Sequence, residues 1–153
     1  MSKIKVIFLD IEGVLNSRKT ERTTKNGYTF VGVRHLKNLK QIVAATGAKV
    51  VLSSDWRYNR DDPEFNSDFL ELRDELRKYG IEFYDFTPEF LGAHRGAEID
   101  AWLTEHPEVE NFVILDDRSD VEPNKDHWVR TVMSRDLDVK ETESAIRILS
   151  GQP

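Results

Sequence analysis

The chain has 153 residues, a length that suits one folded domain with a single hydrophobic core. Hydrophobic residues make up 39% and charged residues 33%, which excludes a disordered chain. There is no cysteine, so disulfides and thiolate metal sites are excluded, and the formal net charge of −6 argues against nucleic-acid binding through bulk charge alone.

The N-terminal stretch predicts neither export nor membrane insertion. Only four apolar residues, Val6 to Leu9, precede Asp10, which is too short for the core of a secretory signal. No later run approaches the length that a membrane span requires. We therefore expect a cytoplasmic protein without membrane contact.

The first motif is an apolar run that ends abruptly in acids. Val6 to Leu9 leads into Asp10, Glu12 and Gly13, and so short a run of β-branched and aromatic residues predicts a strand buried on both faces. Ligands of open α/β sheets bind beyond the carboxyl ends of such strands, and alternation points the side chains of Asp10 and Glu12 the same way. Like charges repel unless a cation intervenes, so this pair favours a bound divalent metal.

The rest of the chain alternates helical and strand patterns. A basic loop from Arg18 to Lys25 leads to Asn26-Gly27, which predicts a small hairpin above the site. The pattern then predicts a helix stopped by Gly47, a strand over 49–52, a helix capped by Ser67 and ended by Gly80, a strand over 81–86, a helix over 95–106, strands over 112–117 and 129–133, and a last helix capped by Asp138. Such alternation predicts an α/β fold, a Rossmann-like parallel sheet of about five strands with helices on both faces. No linker or repeat is visible, so residues 1–153 are expected to form a single domain.

Two further predicted strands also end in polar residues. The second leads into Ser53 and Ser54, and the fourth into Asp116 and Asp117. Each group alone is consistent with a helix cap or a turn. Because the carboxyl ends of neighbouring parallel strands meet at one edge of a sheet, together they predict a site rich in hard oxygen ligands, which suits Mg²⁺.

These motifs resemble those of the haloacid dehalogenase (HAD) superfamily of phosphatases, in the same order along the whole chain. The first matches D-x-D-G-[TV] except for glutamate at the third position, the second is a hydrophobic strand ending in serine, the third is a lone basic residue near the start of a later helix, and the fourth is a strand ending in paired acids. The corresponding residues are Asp10 to Val14, Val50 to Ser53, Arg95, and Ile114 to Asp117. More narrowly, residues 9–16, 52–57 and 114–117 resemble the small domains of bacterial RNA-repair proteins.

The resemblance implies a role for each matching residue. Asp10 would attack phosphorus to form an aspartyl-phosphate, and Glu12 would act as general acid and then general base. Ser53 and Arg95 would hold the phosphoryl oxygens, with Ser54, Asn16 and Arg57 as further substrate contacts. Mg²⁺ would be held by Asp10, Asp116, Asp117 and residue Glu12 through its backbone carbonyl.

The sequence also allows two other interpretations of the function. Glu12 carries one methylene more than the usual aspartate, so the sequence also fits a non-catalytic or weakly active phosphate-binding or phosphotransfer module. A response-regulator-like phosphoacceptor is a third interpretation, disfavoured because no lysine ends the fifth predicted strand.

Members of the superfamily that this chain resembles often carry a cap domain after the first motif or between the third and fourth. The predicted segments at these places are too short to hold one. The site should therefore be open to an exposed or macromolecular phosphoester such as a nucleic-acid end, with the basic loop nearby, unless a partner or a second copy covers it.

Overall fold

The computed structural model describes residues 3–90, 92, 94–132 and 137–151. Strands and helices alternate along these residues. The elements are β1 (Ile4–Leu9), α1 (Val33–Thr46), β2 (Lys49–Leu52), α2 (Ser67–Arg77), β3 (Phe83–Phe86), α3 (Arg95–Thr104), β4 (Val109–Asp116), β5 (Trp128–Arg130) and α4 (Val139–Leu149), with short 3₁₀ turns at Asp55–Arg57 and Lys125–His127.

The five strands form one parallel sheet in the order β3-β2-β1-β4-β5. Leu9, the last residue of β1, pairs with Leu52 on one side and with Leu115 on the other, so the carboxyl ends of the three central strands are level. The direction of chain progression reverses between β1 and β4, which is where α/β sheets bind ligands. The predicted Rossmann-like parallel sheet is confirmed.

Each face of the sheet buries its own apolar cluster. Alternation along β1 sends Ile7 and Leu9 into a cluster with α1, α2 and α4, and sends Val6 and Phe8 into a second cluster with α3. The ring of Phe8 meets Trp102 of α3 edge to face, with 5.4 Å between ring centroids. Helices therefore cover both faces, which explains why the central strands read as continuous apolar runs.

Several element boundaries differ from the predicted ones. Helix α3 ends at Thr104 rather than His106, and β4 begins at Val109, three residues before the predicted start. Strand β3 is confined to its last four predicted residues, and the predicted end of β5 at Met133 lies outside the described residues. The Asp138 cap is confirmed, because its side chain accepts a hydrogen bond from the Val139 N–H.

The predicted hairpin is present and is tied to α2. Thr23 and Thr29 form an antiparallel bridge around Asn26-Gly27, where Gly27 takes a φ of +89°. The Asn26 amide donates to the Ser67 hydroxyl at 2.9 Å. Ser67 was predicted as the N-cap of α2, but it is the first residue of the helix. The N-cap is Asn66, whose side chain makes no capping hydrogen bond.

The described chain has no inserted cap domain. Between β1 and α1 there is only this loop and hairpin, and only a short turn separates α3 from β4. The site at the carboxyl ends of the strands is therefore not covered by a second domain of the described residues.

The first turn of α3 packs tightly against the loop that follows β4. The Gly96 N–H donates to the Asp120 carbonyl at 2.8 Å, and a Cβ at Gly96 would overlap the backbone carbonyl of Glu122. A glycine is needed here because backbone cannot yield as a flexible side chain can.

We expect Gly96→Ala to lower the free energy of unfolding by about 1–3 kcal/mol or more, as overpacking does. The measurement is urea unfolding, with Asp100→Ala at an exposed position of the same helix as the control. Equal stability of the two variants would contradict the proposed close packing.

Candidate active site

Asp10 and Asp116 lie side by side at the ends of β1 and β4. The Asp10 N–H donates to the Leu115 carbonyl at 3.0 Å, which continues the strand pairing to the edge of the sheet. Asp10 is 5% exposed and Asp116 1% exposed. One oxygen of each, together with one of Asp117, lies within 4.8 Å of the other two, so the three carboxylates could hold a metal ion.

A glycine allows Asp117 to join this group. Gly13 has a φ of +78°, and its missing side chain leaves the space that the Asp117 carboxylate occupies. Any other residue would be strained there and would displace Asp117. The Asp-x-Glu-Gly sequence thus contributes both the strand-end acid and the opening for a second acid.

Arg95 brings positive charge to the buried acids. It is the first residue of α3, and its backbone N–H donates to Asp120 at 3.2 Å. Its guanidinium Nε lies 3.0 Å from Asp116 Oδ2, and a terminal nitrogen lies 3.8 Å from Asp10 Oδ1. The side chain is only 4% exposed, so these ion pairs are little screened by water.

Burial perturbs both strand-end aspartates. It raises the pKa of Asp10 well above its usual value, the nearby Asp116 charge raises it further, and Arg95 only partly opposes these effects. Burial also raises the pKa of Asp116, against the opposing charge of Arg95. The folded chain therefore favours protonation at this cluster until a cation compensates the charge.

The Ser53 hydroxyl is buried at the site and lacks a hydrogen-bond partner among the described residues. The Arg95 Nε and Asp116 Oδ2 face each other at 3.0 Å as an ion pair. An unsatisfied buried hydroxyl is costly unless a ligand completes it. A carboxylate oxygen suits Mg²⁺, while a hydroxyl and a guanidinium suit phosphoryl oxygens, so the residues present fit both groups.

The net charge of the site also indicates a bound cation. The ion pairs join two guanidinium groups, those of Arg57 and Arg95, to Glu98 and to the aspartate cluster. When all are ionised, four carboxylates face two cations, and one divalent ion would neutralise the remainder. This supports a cation site at the three aspartates.

Glu12 lies apart from the aspartate cluster. Its carboxylate is exposed and accepts from the Trp56 indole N–H at 2.9 Å and from the Asn16 amide at 3.1 Å. The Glu12 side chain is not a member of the metal-binding group, and the predicted ligand role of its backbone carbonyl stays a prediction. Asn16 is 1% exposed and also accepts from the Gly13 N–H, so it braces the loop after β1.

Ser54 and Arg57 make contacts with the protein itself. The Ser54 hydroxyl accepts from the Trp56 N–H at 3.2 Å. Arg57 is fully buried, donates to the carbonyls of Ser54, Thr87 and Pro88, and forms a 3.0 Å ion pair with Glu98. Arg57 thus holds the loop after β2, and its predicted contact with substrate stays a prediction.

The sequence places Asp120 near the fourth motif, but it predicts neither the role of Glu98 nor the pairing of Asp120 with Arg118. Glu98 contacts Arg57 and also lies 3.9 Å from a terminal nitrogen of Arg95. Its position three residues after Arg95 in a predicted helix could have indicated this second contact. Burial alone would raise the pKa of Asp120, but its hydrogen bonds from the Arg95 N–H and the Arg118 guanidinium lower it instead. Nothing in the sequence pattern singles out Arg118.

Two clefts each include one of the predicted site residues, Arg95 or Glu12. One, of about 370 Å³, is lined by Arg95, Arg118 and Glu98, and the other, of about 340 Å³, by Glu12 and several aromatic residues. A larger cleft of about 790 Å³ beside Trp102 contains none of the predicted site residues. Cleft size alone therefore does not locate the site.

The fold and this arrangement define the class of protein. Aspartates end two adjacent strands of the parallel sheet, an unpartnered serine follows the next strand, and a buried arginine begins a helix. These features together are typical of a HAD-type domain. The family model described as "HAD domain in Swiss Army Knife RNA repair proteins" matches residues 6–141.

The chain belongs to this family, and the resemblance seen in its motifs is confirmed. It is therefore a HAD domain of the hydrolase or phosphotransfer type. No curated protein matches the chain. None of the helices in the described residues is both long and apolar enough to cross a bilayer.

The raised pKa values of Asp10 and Asp116 predict pH-dependent stabilisation by Mg²⁺. Without metal, their contribution to stability is present at low pH and is lost as pH rises through the raised pKa values. Protons compete with Mg²⁺, so we expect the metal to raise Tm by about 5–10 °C at pH 7.5, when present at a hundred times its Kd, and by less at pH 5.

Thermal unfolding with and without Mg²⁺ checks this expectation. Asp116→Asn should lose most of the stabilisation, whereas Asp126→Asn, an exposed change in the turn before β5, should retain it. An Mg²⁺ effect that is equal at both pH values and in both variants would place the metal elsewhere.

Glu98→Gln should be strongly destabilising. It removes the countercharge of the fully buried Arg57, and breaking one partner of a buried ion pair costs about 3–5 kcal/mol. Chemical unfolding against Glu105→Gln, an exposed change at the end of the same helix, is the measurement. A loss no larger than that of the control would contradict the structural role of the Arg57–Glu98 pair.

Proposed function

We propose that the protein is an Mg²⁺-dependent phosphomonoester hydrolase that works through an aspartyl-phosphate on Asp10. The observation that carries the proposal is the buried Asp10, set among Asp116, Asp117 and Arg95 and next to the unpartnered Ser53 hydroxyl. These are the groups that phosphoryl transfer requires: a nucleophile, a cation site and donors for the phosphoryl oxygens.

In the first step an Asp10 oxygen attacks phosphorus and the bond from phosphorus to the ester oxygen breaks. Glu12 protonates the departing alcohol oxygen. Ser53 and Arg95 donate to the phosphoryl oxygens as negative charge redistributes. When bound, Mg²⁺ would be held by Asp10, Asp116 and Asp117 and would neutralise charge on the phosphoryl group.

In the second step water attacks the phosphorus of the aspartyl-phosphate. Glu12 accepts the proton of that water, the bond to Asp10 breaks, and inorganic phosphate leaves with the carboxylate regenerated. The exposure of Glu12 supports this role, since it can exchange its proton with solvent between steps.

The open site favours an exposed phosphoester, and we propose a nucleic-acid end as its source. The matching family is described by its occurrence in RNA repair proteins. In the basic loop, Arg22 is already paired with Glu75 at 2.9 Å, which leaves Arg18, Lys19 and Lys25 as the exposed cations that could meet a phosphate backbone. A partner subunit or a second copy could cover the site, and the lack of cysteine is compatible with a cytoplasmic location.

The alternative is a phosphate-binding or phosphotransfer module with little turnover. The observation in its favour is that Trp56 and Asn16 both donate to the Glu12 carboxylate. Restraint of the general acid would slow both steps while leaving metal and phosphate binding intact.

Hydrolysis of an aryl phosphate with and without Mg²⁺ distinguishes the two. For a hydrolase, we expect Mg²⁺-dependent turnover that falls about a thousandfold or more in Asp10→Asn, since losses of a nucleophile are of this size or larger. Asp126→Asn is the charge-matched control that should retain activity.

Glu12→Asp tests the restraint on the general acid. Activity in Glu12→Asp but not in the natural chain would favour the binding module. Activity that persists in Asp10→Asn would contradict the aspartyl-phosphate.

A further inference from the structure

The two clefts differ in their charged lining. The first contains the guanidinium groups of Arg95 and Arg118 together with the carboxylates of Asp55, Glu89 and Glu98. The second, which we call the acid-aromatic cleft, is lined by Glu12, Tyr28, Asp55, Trp56, Phe65 and Asp68, with Asn59 and Phe69 completing it. No lysine or arginine of the described residues lines the second cleft.

Exposed aromatic rings mark the acid-aromatic cleft as a binding surface. Tyr28 is 61% exposed and Phe65 60% exposed, although rings of this size are usually buried. Trp56 is partly buried and packs against the core, with 6.4 Å between its ring centroid and that of buried Phe30. Flat rings at an open cleft offer stacking surfaces to a planar ligand.

Tyr28 is held in place rather than left on a loose loop. The hairpin that carries it is bonded to α2 through Asn26, whose amide contacts both Ser67 and Asp68, and through the Lys25 N–H, which donates to Glu71 at 3.2 Å. The cleft therefore exists before any ligand arrives, which lowers the entropic cost of binding.

The cleft is also joined to the chemistry through Glu12. The Trp56 indole N–H donates to the carboxylate of Glu12, which is the proposed acid for the leaving oxygen. A substrate phosphoryl group at Asp10 and Arg95 would thus direct its alcohol portion past Glu12 towards Trp56. The acid-aromatic cleft is where the organic part of the leaving group would bind.

The charges of the cleft restrict what that organic part can be. Glu12, Asp55 and Asp68 present carboxylates, which repel a further phosphate and accept hydrogen bonds from N–H groups. A planar ring with amino groups satisfies both the aromatic and the acidic lining. Adenine, cytosine and guanine carry such groups, whereas uracil has carbonyl oxygens at its exocyclic positions.

We infer that the acid-aromatic cleft binds the nucleobase of the phosphorylated nucleotide and prefers bases that carry an exocyclic amino group. This inference rests on the proposed function, and it adds a specificity site outside the groups that perform the reaction. The base stacks on Tyr28 and Phe65, and its amino group donates to the exposed carboxylate of Asp55.

The kinetic test compares KM for adenosine, cytidine and uridine monophosphates with KM for ribose 5-phosphate, which lacks a base. Both 3′ and 5′ nucleotides are used, so that the comparison covers both positions of the phosphate. The natural chain should give the lowest KM with adenine and cytosine, a higher one with uracil and the highest with ribose 5-phosphate. Short RNA chains with a terminal phosphate and either A or U at the end show whether the base belongs to a free nucleotide or to a chain end.

The variants Tyr28→Ala and Phe65→Ala should each reduce the preference for adenosine monophosphate over ribose 5-phosphate by roughly fivefold or more, the size expected from loss of one stacking partner. Asp55→Asn should reduce the preference for adenine over uracil. Tyr84→Ala, which removes a ring 46% exposed on edge strand β3, is the matched control and should leave both ratios unchanged.

A binding measurement separates this inference from the proposed hydrolysis. Adenosine, which has no phosphate, should shift the Trp56 indole N–H resonance in NMR spectra, and uridine should do so less at equal concentration. Such shifts would support binding of the base in the acid-aromatic cleft even if no phosphoester were hydrolysed. Equal KM values for base-bearing and base-free substrates would overturn the inference. So would the absence of an adenosine-dependent shift of the Trp56 resonance, or a shift that Tyr28→Ala and Phe65→Ala leave unchanged.

Discussion

Opposite charges are buried together at the carboxyl end of the sheet, and the surrounding loops and helix ends are arranged around them. Arg95 lies between Asp10, Asp116 and Glu98, with almost no exposure to water. Charges in such a place are tolerated only when they are paired or when a ligand completes them. The raised pKa values of the two aspartates show that Arg95 alone does not compensate their burial.

The elements around the site serve to hold this arrangement. The Asp120 side chain and carbonyl fix the start of α3, and the absence of a side chain at Gly96 lets that helix approach the loop after β4. On the other side Arg57 reaches Glu98 from the loop after β2. Three loops at the sheet edge are thereby connected through side chains, and the site is preorganised as electrostatic catalysis requires.

Glu12 lies between the acids at the strand ends and the exposed aromatic surface of the acid-aromatic cleft. Its longer side chain reaches the Trp56 indole, and Trp56 in turn borders the cleft that carries Tyr28. The same contact can restrain a proton donor or place it beside the leaving group of a particular substrate. Substrate choice and turnover would then be coupled through one hydrogen bond, which is why the exposed surface next to Glu12 is informative about function.

The amino-acid pattern was enough to predict the parallel α/β sheet and the grouping of Asp10 with Asp116. Short apolar runs and apolar residues at helical spacing are local signals, and a parallel sheet brings the acids at its strand ends to one edge. The pattern did not give strand and helix ends to the residue, since those depend on pairing partners such as Ile4 with Val109. The partners of Arg57 and the role of Glu98 emerge only when the chain is folded, because an ion pair between distant segments leaves no periodic pattern in either one.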